Sequence, residues 1–185
     1  MKAGVLALQG DFREHAAMFA EAGATPILVR SPDDLATVDC LAVPGGESTT
    51  IGKLAVRYGL VEPIRERAVA GMPVLGTCAG MIVMATDVEG GEPLLSLMDV
   101  TVVRNAYGRQ VDSFEADVEV PGVGPVRAVF IRAPRVTRVG GGVEVLAEHG
   151  GTPVLVRQGN LLAAAFHPEI AGDARLHMLL LELAG

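Results

Sequence analysis

Several residue types are scarce in this chain of 185 residues. Tryptophan is absent and aromatic residues make up only 4% of the sequence, so aliphatic side chains must fill the core. Basic residues are in deficit, because 15 Lys and Arg face 22 Asp and Glu and the formal net charge is −7. This balance excludes a broad basic surface for nucleic acid. Two cysteines, Cys40 and Cys78, are too few for a disulfide framework or a zinc site.

A long uninterrupted apolar run is also missing. Residues 68–86 carry no charge, but Gly71, Pro73, Gly76 and Gly80 interrupt them, which is unlike a membrane-spanning helix. The N-terminus is apolar for only a few residues before Asp11, which is unlike a signal peptide. We therefore expect a cytoplasmic protein, and the length predicts a single domain over residues 1–185.

The order of apolar patterns predicts an α/β fold. Apolar runs at 3–8, 26–29, 40–43 and 74–75 predict buried strands, and helical patterns at 11–22, 50–58 and 61–70 lie between them. A short helix is predicted to begin at Ser31-Pro32-Asp33-Asp34, with Ser31 as its N-cap and Pro32 at its first position. A further helix is predicted from about 80 to 86, and a last one at 173–183. The second half predicts strands at 100–103, 114–120, 126–131, 143–147, 154–156 and 162–166, some of them antiparallel. The expected architecture has three layers, a mainly parallel mixed sheet with helices on both faces.

The segment 76–80 has the form G-x-C-x-G between a predicted strand and a predicted helix. A turn of this form holds a nucleophile at the carboxyl edge of a sheet, and the helix dipole there favours the thiolate of Cys78. The backbone N–H of Ala79 would then face a developing oxyanion. The alternative is a small buried cysteine in a glycine-rich turn. Cys40, inside a predicted strand, is interpreted as a core residue.

A candidate base follows the last predicted strand. His167 and Glu169 are two residues apart in H-P-E, so in extended chain both side chains point the same way and Glu169 can orient His167. Because sites of parallel sheets lie at strand carboxyl ends, we predict a triad of Cys78, His167 and Glu169. The alternative is a surface histidine beside a surface glutamate. The remaining histidines show no metal-ligand spacing, so neither a metal nor a cofactor is expected.

Three further segments are candidates for binding. The run PGGESTT at 44–50 lacks the spacing of a phosphate loop, and leaves two interpretations, a flexible oxyanion strand at Gly46 or a plain turn with Ser48 or Thr49 as a helix N-cap. Arginines near strand ends, Arg104 and Arg132, either clamp a carboxylate or are solvated surface residues.

These segments together resemble the class I, triad-type glutamine amidotransferases, and among them the glutaminase subunits of pyridoxal 5′-phosphate synthases. The resemblance rests on LALQG at 6–10 with EH at 14–15, PGGESTT at 44–50, GTCAGMI at 76–82, RNAYGRQVDSFE at 104–115, FIRAP at 130–134 and FHPE at 166–169. They occur in order along nearly the whole chain.

The resemblance implies a flavodoxin-like glutaminase fold and a chemistry. Cys78 attacks the side-chain amide of L-glutamine and forms a thioester, His167 moves protons, and Glu169 orients His167. The implied oxyanion hole consists of the N–H groups of Gly46 and Ala79. The implied glutamine-binding residues are Gly46, Glu47, Ser48, Arg104, Ile131 and Arg132.

The resemblance also implies a partner. The family's subunit is nearly silent alone and docks on a (β/α)₈ synthase subunit that consumes the ammonia, in a dodecamer of heterodimers. Gln9 and the helix that follows it resemble part of the family's docking face. Because the glutaminase fold accounts for all 185 residues, the ammonia-consuming step is expected on another chain.

Three alternatives remain at this stage. Another class I glutaminase subunit is disfavoured by PGGESTT and RNAYGRQVDSFE. A flavodoxin-like cysteine hydrolase normally has its histidine soon after the cysteine, whereas His167 lies 89 residues after Cys78. The third alternative is a binding domain with an inert cysteine.

Overall fold

The computed structural model describes residues 1–104 and 113–185 of the chain. The first half contains β1 (Lys2–Leu6), α1 (Phe12–Glu21), β2 (Thr25–Val29), α2 (Pro32–Ala36), β3 (Cys40–Val43), α3 (Ser48–Arg57), α4 (Val61–Val69), β4 (Val74–Thr77) and α5 (Ala79–Met84). The second half contains β5 (Ala85–Glu89), β6 (Met98–Val103), β7 (Phe114–Val120), β8 (Gly124–Phe130), β9 (Arg135–Val139), β10 (Glu144–His149), β11 (Thr152–Gln158), β12 (Leu161–Ala164) and α6 (Arg175–Ala184). The predicted α/β class is confirmed.

The main sheet has seven strands in the order β10-β11-β12-β4-β3-β1-β2. All pairings from β12 to β2 are parallel, whereas β11 is antiparallel to both of its neighbours. Helix α1 packs on β1 and β2 and contacts α6, which packs on β3 and β4, while α5 packs on β3, β4 and β12 and contacts α3. Helices therefore cover both faces of a mainly parallel mixed sheet, as predicted. Strands buried on both faces explain why β3 and β4 are apolar without alternation.

Local sequence sets where the short helix α2 begins. The Ser31 hydroxyl accepts from the Asp34 backbone N–H at 3.2 Å, and the Asp34 carboxylate accepts from the Ser31 backbone N–H at 3.0 Å. Pro32 occupies the first helical position, where its missing N–H costs nothing. The Ser31 cap and the position of Pro32 are as the sequence predicted, and the return bond from Asp34 completes a capping box.

Four neighbouring parallel strands end at the edge of the sheet where the candidate site lies. Gln9 follows β1, Gly46 follows β3, Cys78 follows β4 and His167 follows β12. Parallel pairing aligns Ala164 of β12 with the last residue of β4, and the Cys78 N–H donates to the Ala164 carbonyl at 2.8 Å. Residues far apart in sequence therefore meet at one edge, as Cys78 and His167 do.

Two expectations about the elements are wrong. The helix predicted to reach about residue 86 ends at Met84, because the chain from Ala85 onwards pairs with β6 as strand β5. Strand β9 was not predicted; it pairs with β6 through a segment in which Val136 is buried among exposed polar residues. In addition, β5, β6 and β9 form a separate three-stranded sheet, and β7 and β8 form a hairpin. Pairing with distant strands decides whether such short segments become strands, so local sequence patterns do not predict them.

Among the described residues, no helix has both the length and the apolar character needed to cross a membrane.

Replacing Gly80 by alanine is expected to destabilise the fold. The added Cβ would lie 2.0 Å from the Val43 carbonyl oxygen, and backbone atoms of β3 cannot move aside easily. We expect a loss of about 1–3 kcal/mol, the usual cost of overpacking, measured by urea unfolding.

Gly52 is the matched control, because it also lies within a helix. Its added Cβ would find the nearest atoms, from Leu94, at 3.6 Å, so Gly52→Ala should be neutral or stabilising by up to about 1 kcal/mol. Equal stability of the two variants would contradict the close approach of α5 and β3.

Candidate active site

Cys78 lies in a sharp turn between β4 and α5. Its φ of 48° and ψ of −104° are unusual for a residue with a Cβ, and such backbone strain costs on the order of 1–3 kcal/mol. Cys78 is 7% exposed, lines a pocket and occupies the N-cap position of α5. The N–H of Ala79 stands in the first helical turn, where it has no partner within the helix. The turn thus places the Cys78 thiol beside the first residue of a helix, and both residues line the pocket.

His167 and Glu169 form a buried pair beside this thiol. The Nδ1 atom of His167 lies 2.7 Å from Oε1 of Glu169, and the two residues are only 4% and 3% exposed. The stiff H-P-E segment brings the two side chains together, as predicted from their spacing. This bond assigns the Nδ1 hydrogen to the Glu169 side and leaves Nε2 for the thiol.

The charges of the pair support each other. Burial alone would lower the pKa of His167, but hydrogen bonds with Cys78 and Glu169 outweigh it and raise the pKa to about 10. Burial alone would raise the pKa of Glu169, but His15 and His167 outweigh it and lower that pKa well below its usual range. An imidazolium between a thiol and a carboxylate is therefore the favoured state, and such a cation stabilises a thiolate.

The pocket at this edge has a volume of about 380 Å³. Its lining includes every predicted side chain of the site except Glu169, which lies behind His167. The lining residues are Gln9, Asp11, Gly46, Glu47, Ser48, Cys78, Ala79, Ile82, Arg104, Ile131, Arg132, His167 and Ile170. The structure thus brings residues from six separate segments to one cavity.

The loop after β3 is held by the loop between β1 and α1. The Oε1 atom of Gln9 accepts from the Glu47 backbone N–H at 2.8 Å, and the Gly45 carbonyl accepts from the Asp11 N–H at 3.1 Å. Gly46 has a φ of +144°, which favours glycine, and a Cβ there would lie 2.5 Å from Gln9 Oε1. This loop is therefore a close-packed, glycine-dependent wall of the pocket.

Glu47 is the N-cap of α3, in place of the Ser48 or Thr49 cap considered from sequence. Its carboxylate accepts from the backbone N–H groups of Thr49 and Thr50 at 3.0 and 2.6 Å. The Thr50 side chain and these N–H groups together outweigh partial desolvation and lower the pKa of Glu47 to about 2. Both carboxylate oxygens are thus engaged in the cap.

The opposite wall comes from the chain after β8. The His167 N–H donates to the Val129 carbonyl at 2.8 Å, which anchors β8 beside the end of β12. The Ile131 carbonyl lies 3.8 Å from the Cys78 Sγ, and Arg132 has a positive φ of 45°. A bulky residue in that conformation is strained, which marks the segment as held by its surroundings.

Arg104 reaches the pocket from the end of β6. Its Nη1 donates to the Thr49 hydroxyl at 3.1 Å, whereas its buried Nε has no hydrogen-bond partner among the described residues. Most of the motif RNAYGRQVDSFE lies at 105–112, outside the described residues.

Sequence reasoning missed Asp11 as part of the site. Its Oδ2 lies 3.4 Å from His167 Nδ1, and burial raises its pKa although His167 opposes this. Asp11, His167 and Glu169 bring possible metal-ligating atoms within 4.8 Å of one another, but His167 Nδ1 is already bonded to Glu169. The position of Asp11, in the loop between β1 and α1 at the carboxyl edge of the sheet, was the available signal.

The two cysteines differ as predicted. Cys40 has no exposed surface at the start of β3, and its burial, aided by Asp39, raises the pKa of its thiol to about 12. It packs in the core, away from any imidazole partner on the described part of the chain.

The fold and the site together define an α/β protein whose cysteine, histidine and glutamate meet at adjacent strand ends, as in triad-type glutamine amidotransferases. A solved structure described as a glutamine amidotransferase is 53% identical and superposes with a TM-score of 0.95, covering 99% of this chain and 98% of that one. PurLQS from Thermotoga maritima, 16% identical with a TM-score of 0.74 over 99% of this chain and 96% of its own, shares the fold alone.

The chain belongs to the SNO glutamine amidotransferase family, whose sequence model matches residues 5–184. Curated relatives named pyridoxal 5′-phosphate synthase subunit PdxT include that of Pelotomaculum thermopropionicum, 56% identical over 98% of this chain and 94% of the relative. The subunit of Mycolicibacterium vanbaalenii is 60% identical over 95% of this chain and 94% of the relative. The family predicted from the sequence motifs is confirmed.

Iodoacetamide is expected to modify Cys78 and to leave Cys40 unmodified in the folded chain. Cys78 borders an open pocket and contacts an imidazolium, whereas the buried thiol of Cys40 stays protonated. Peptide mass spectrometry after brief labelling at neutral pH measures both sites. Equal labelling of the two cysteines would contradict the assignment.

Proposed function

We propose that the chain is the glutaminase subunit of a pyridoxal 5′-phosphate synthase, acting as one glutaminase domain. It hydrolyses L-glutamine to L-glutamate and ammonia and passes the ammonia to a synthase partner. The observation that supports this most directly is the Cys78 thiol beside the buried His167–Glu169 pair, at a pocket of about 380 Å³. Family membership and the names of the relatives support the same function.

The reaction runs in two steps through a thioester. The Cys78 thiolate attacks the side-chain amide carbon of glutamine, the C–N bond breaks, and the His167 imidazolium gives its proton to the departing ammonia. Neutral His167 then takes a proton from water, whose oxygen attacks the thioester and releases glutamate and the thiolate. Glu169 touches neither reactant; it orients the ring through Nδ1 and stabilises its positive charge.

The oxyanion of each step is held by backbone donors. We assign this role to the N–H groups of Ala79 and Gly46. Ala79 N–H stands at the start of α5, where the helix dipole adds to its effect. In the peptide that joins Gly45 to Gly46, the Gly45 carbonyl accepts a hydrogen bond from the Asp11 N–H. A rotation that exchanges the directions of the carbonyl and the Gly46 N–H would break this hydrogen bond.

Glutamine recognition is assigned to the remaining pocket wall. Arg104 and Arg132 supply positive charge for the α-carboxylate of glutamine, because guanidinium groups bind carboxylates with two parallel hydrogen bonds. The Ile131 carbonyl supplies an acceptor beside the thiol. Gly46, Glu47 and Ser48 shape the opposite wall, and Glu47 does so while capping α3.

The partner follows from the resemblance. We propose a (β/α)₈ synthase subunit that receives the ammonia, in a dodecamer of heterodimers, with Gln9 at the docking face. Gln9 accepts a hydrogen bond from the Glu47 N–H, so a partner that contacts Gln9 would directly affect the loop that contains Gly46. A nucleophilic thiol must stay reduced, which suits the cytoplasm.

Replacing Cys78 by alanine is expected to abolish ammonia release from glutamine, because the thiol is the nucleophile. Glu169→Gln should lower the turnover number by a smaller factor, since it weakens the orientation of His167 without removing the base. A coupled glutamate or ammonia assay measures both, with the chain in complex with its synthase partner.

Cys40→Ser is the matched control, because it removes the other thiol. Its turnover should stay within a few-fold of the wild type, with a loss of about 1 kcal/mol in stability. Ammonia release by Cys78→Ala at a few per cent of the wild-type rate would contradict the proposed nucleophile.

The synthase partner is expected to raise glutamine turnover by completing the oxyanion hole. One missing donor typically costs about 10²–10³ in rate, so the isolated chain should bind glutamine and hydrolyse it slowly. Gly46→Ala should lose this activation, because the Cβ collides with Gln9 and the φ of +144° suits glycine. Titrating turnover with the partner tests this.

Full activity of the isolated chain, unchanged when the partner is added, would contradict this activation by the partner. Wild-type activation of Gly46→Ala would equally exclude a rearrangement of the Gly45–Gly46 peptide.

A further inference from the structure

Two histidines outside the mechanism are buried behind the site. His15 on α1 and His177 on α6 have no exposed surface, and His15 Nδ1 lies 2.8 Å from His177 Nε2. Sequence reasoning set both aside because they show no metal-ligand spacing. His15 lies on the apolar stripe of α1, three residues from Phe12 and four from Phe19. A buried histidine needs hydrogen-bond partners, so its contacts are informative.

The other nitrogen of His15 points to the triad carboxylate. Its Nε2 lies 3.0 Å from the Thr77 hydroxyl and 3.5 Å from Oε1 of Glu169. The Thr77 hydroxyl in turn donates to Glu169 Oε1 at 3.4 Å. Thr77 directly precedes Cys78, so the strand that ends at the nucleophile also contacts the carboxylate.

The hydrogen bonds that link His177, His15, Thr77 and Glu169 can all be assigned with the donor on the side away from Glu169. A Thr77 hydroxyl that donates to Glu169 must accept its other bond from His15 Nε2–H. The tautomer of His15 that donates from Nε2 has a lone pair on Nδ1, which accepts from His177 Nε2–H. His177 is neutral, because burial above all lowers its pKa to about 3, and its Nδ1 keeps a lone pair that has no partner among the described residues. Every donor therefore points toward Glu169.

All the described contacts of Glu169 converge on one of its oxygens. Oε1 faces His167, Thr77 and His15, whereas Oε2 is buried without a hydrogen-bond partner among the described residues. A carboxylate bound on one side only is oriented by the donors on that side. These donors come from β4, α1 and the segment after β12, so the fold itself sets the angle of the carboxylate.

We infer that His15 is a positioning residue for Glu169, acting directly and through Thr77, with His177 holding the tautomer of His15. This inference rests on the proposed function for the role of Glu169. It goes beyond that function by assigning the orientation of the Glu169 carboxylate to residues on α1 and α6 that do not contact the substrate pocket. Loss of the donor at His15 Nε2 should loosen Glu169, weaken the charge of His167 and make the Cys78 thiolate less available.

The test compares His15→Gln with His15→Asn in the Cys40→Ser background. A glutamine amide can place a donor near the former Nε2, whereas the shorter asparagine reaches only the Nδ1 side. The first readout is glutamine turnover in the complex. The second is the rate of Cys78 alkylation by iodoacetamide as a function of pH.

We expect His15→Asn to lower both rates at neutral pH by roughly 10–100-fold, the usual effect of losing a hydrogen bond to a buried charge. Its alkylation profile should move to higher pH, and KM for glutamine should change little. His15→Gln should restore both rates to within a few-fold of the wild type. His149→Gln and His149→Asn, which replace an exposed histidine, should match the parent protein.

The inference would be overturned if the His15 variants lost stability but did not show the loss of both rates in His15→Asn and their recovery in His15→Gln. If Gln and Asn reduce both rates equally, or if His15→Asn leaves both unchanged, His15 only fills space. Should His15→Asn fail to fold, Thr77→Val and Thr77→Ser repeat the comparison, because Val keeps the shape and Ser keeps the hydroxyl. Equal rates for Val and Ser would again overturn it.

The two readouts separate this inference from the proposed function. Dependence of Cys78 alkylation on His15 in a chain that releases no ammonia would refute the glutaminase and leave the positioning role intact. Normal ammonia release together with insensitivity to His15→Asn would refute the positioning role alone.

Discussion

The parallel pairing of β4 with β12 is the contact on which the site depends. It aligns Thr77 with Ala164 and bonds the Cys78 N–H to the Ala164 carbonyl, so the residues that follow each strand are neighbours in space. Cys78 and His167 are far apart along the chain, and no local interaction brings them together. Because β3 and β1 continue the sheet in parallel, the same edge also receives the Gly46 loop and Gln9.

Burial of charge is the second constraint. A carboxylate as enclosed as Glu169 would ordinarily take up a proton, since desolvation disfavours its charged form. Donors on His167, Thr77 and His15 oppose this and keep it ionised. The charge is then available to hold the His167 imidazolium next to the thiol. The low-dielectric surroundings that raise the desolvation free energy of the Glu169–His167 pair also strengthen the electrostatic interaction between its charges.

Close approach of backbones explains the glycines around the site. A Cβ at Gly10 would lie 1.7 Å from the Gly45 carbonyl oxygen, and one at Gly80 would lie 2.0 Å from the Val43 carbonyl oxygen. The loop after β1 therefore touches the loop after β3, and the start of α5 touches the end of β3, through main-chain atoms. Such packing places backbone N–H groups within reach of a substrate, and it allows a contact on one loop, such as Gln9, to influence another.

The sequence by itself determined the α/β class and most of the first-half elements, and it proposed Cys78, His167 and Glu169 as the residues of the site. These depend on signals within a few residues, namely unbroken apolar strands, the cap at Ser31, the glycine-flanked cysteine and the rigid H-P-E segment. Only the tertiary structure decided that α5 gives way to strand β5, that β9 pairs with β6, and that the second-half strands divide among three sheets.

The tertiary structure also decided the surroundings of the Glu169 carboxylate. His15, Thr77 and His177 come from α1, β4 and α6, and no spacing along the chain shows that they converge on Glu169. Likewise, Asp11 acquires its place beside His167 only when β1 and β12 lie in one sheet. The physical reason is that local pattern reports on burial and backbone conformation, whereas a hydrogen bond between distant side chains exists only after the strands have paired.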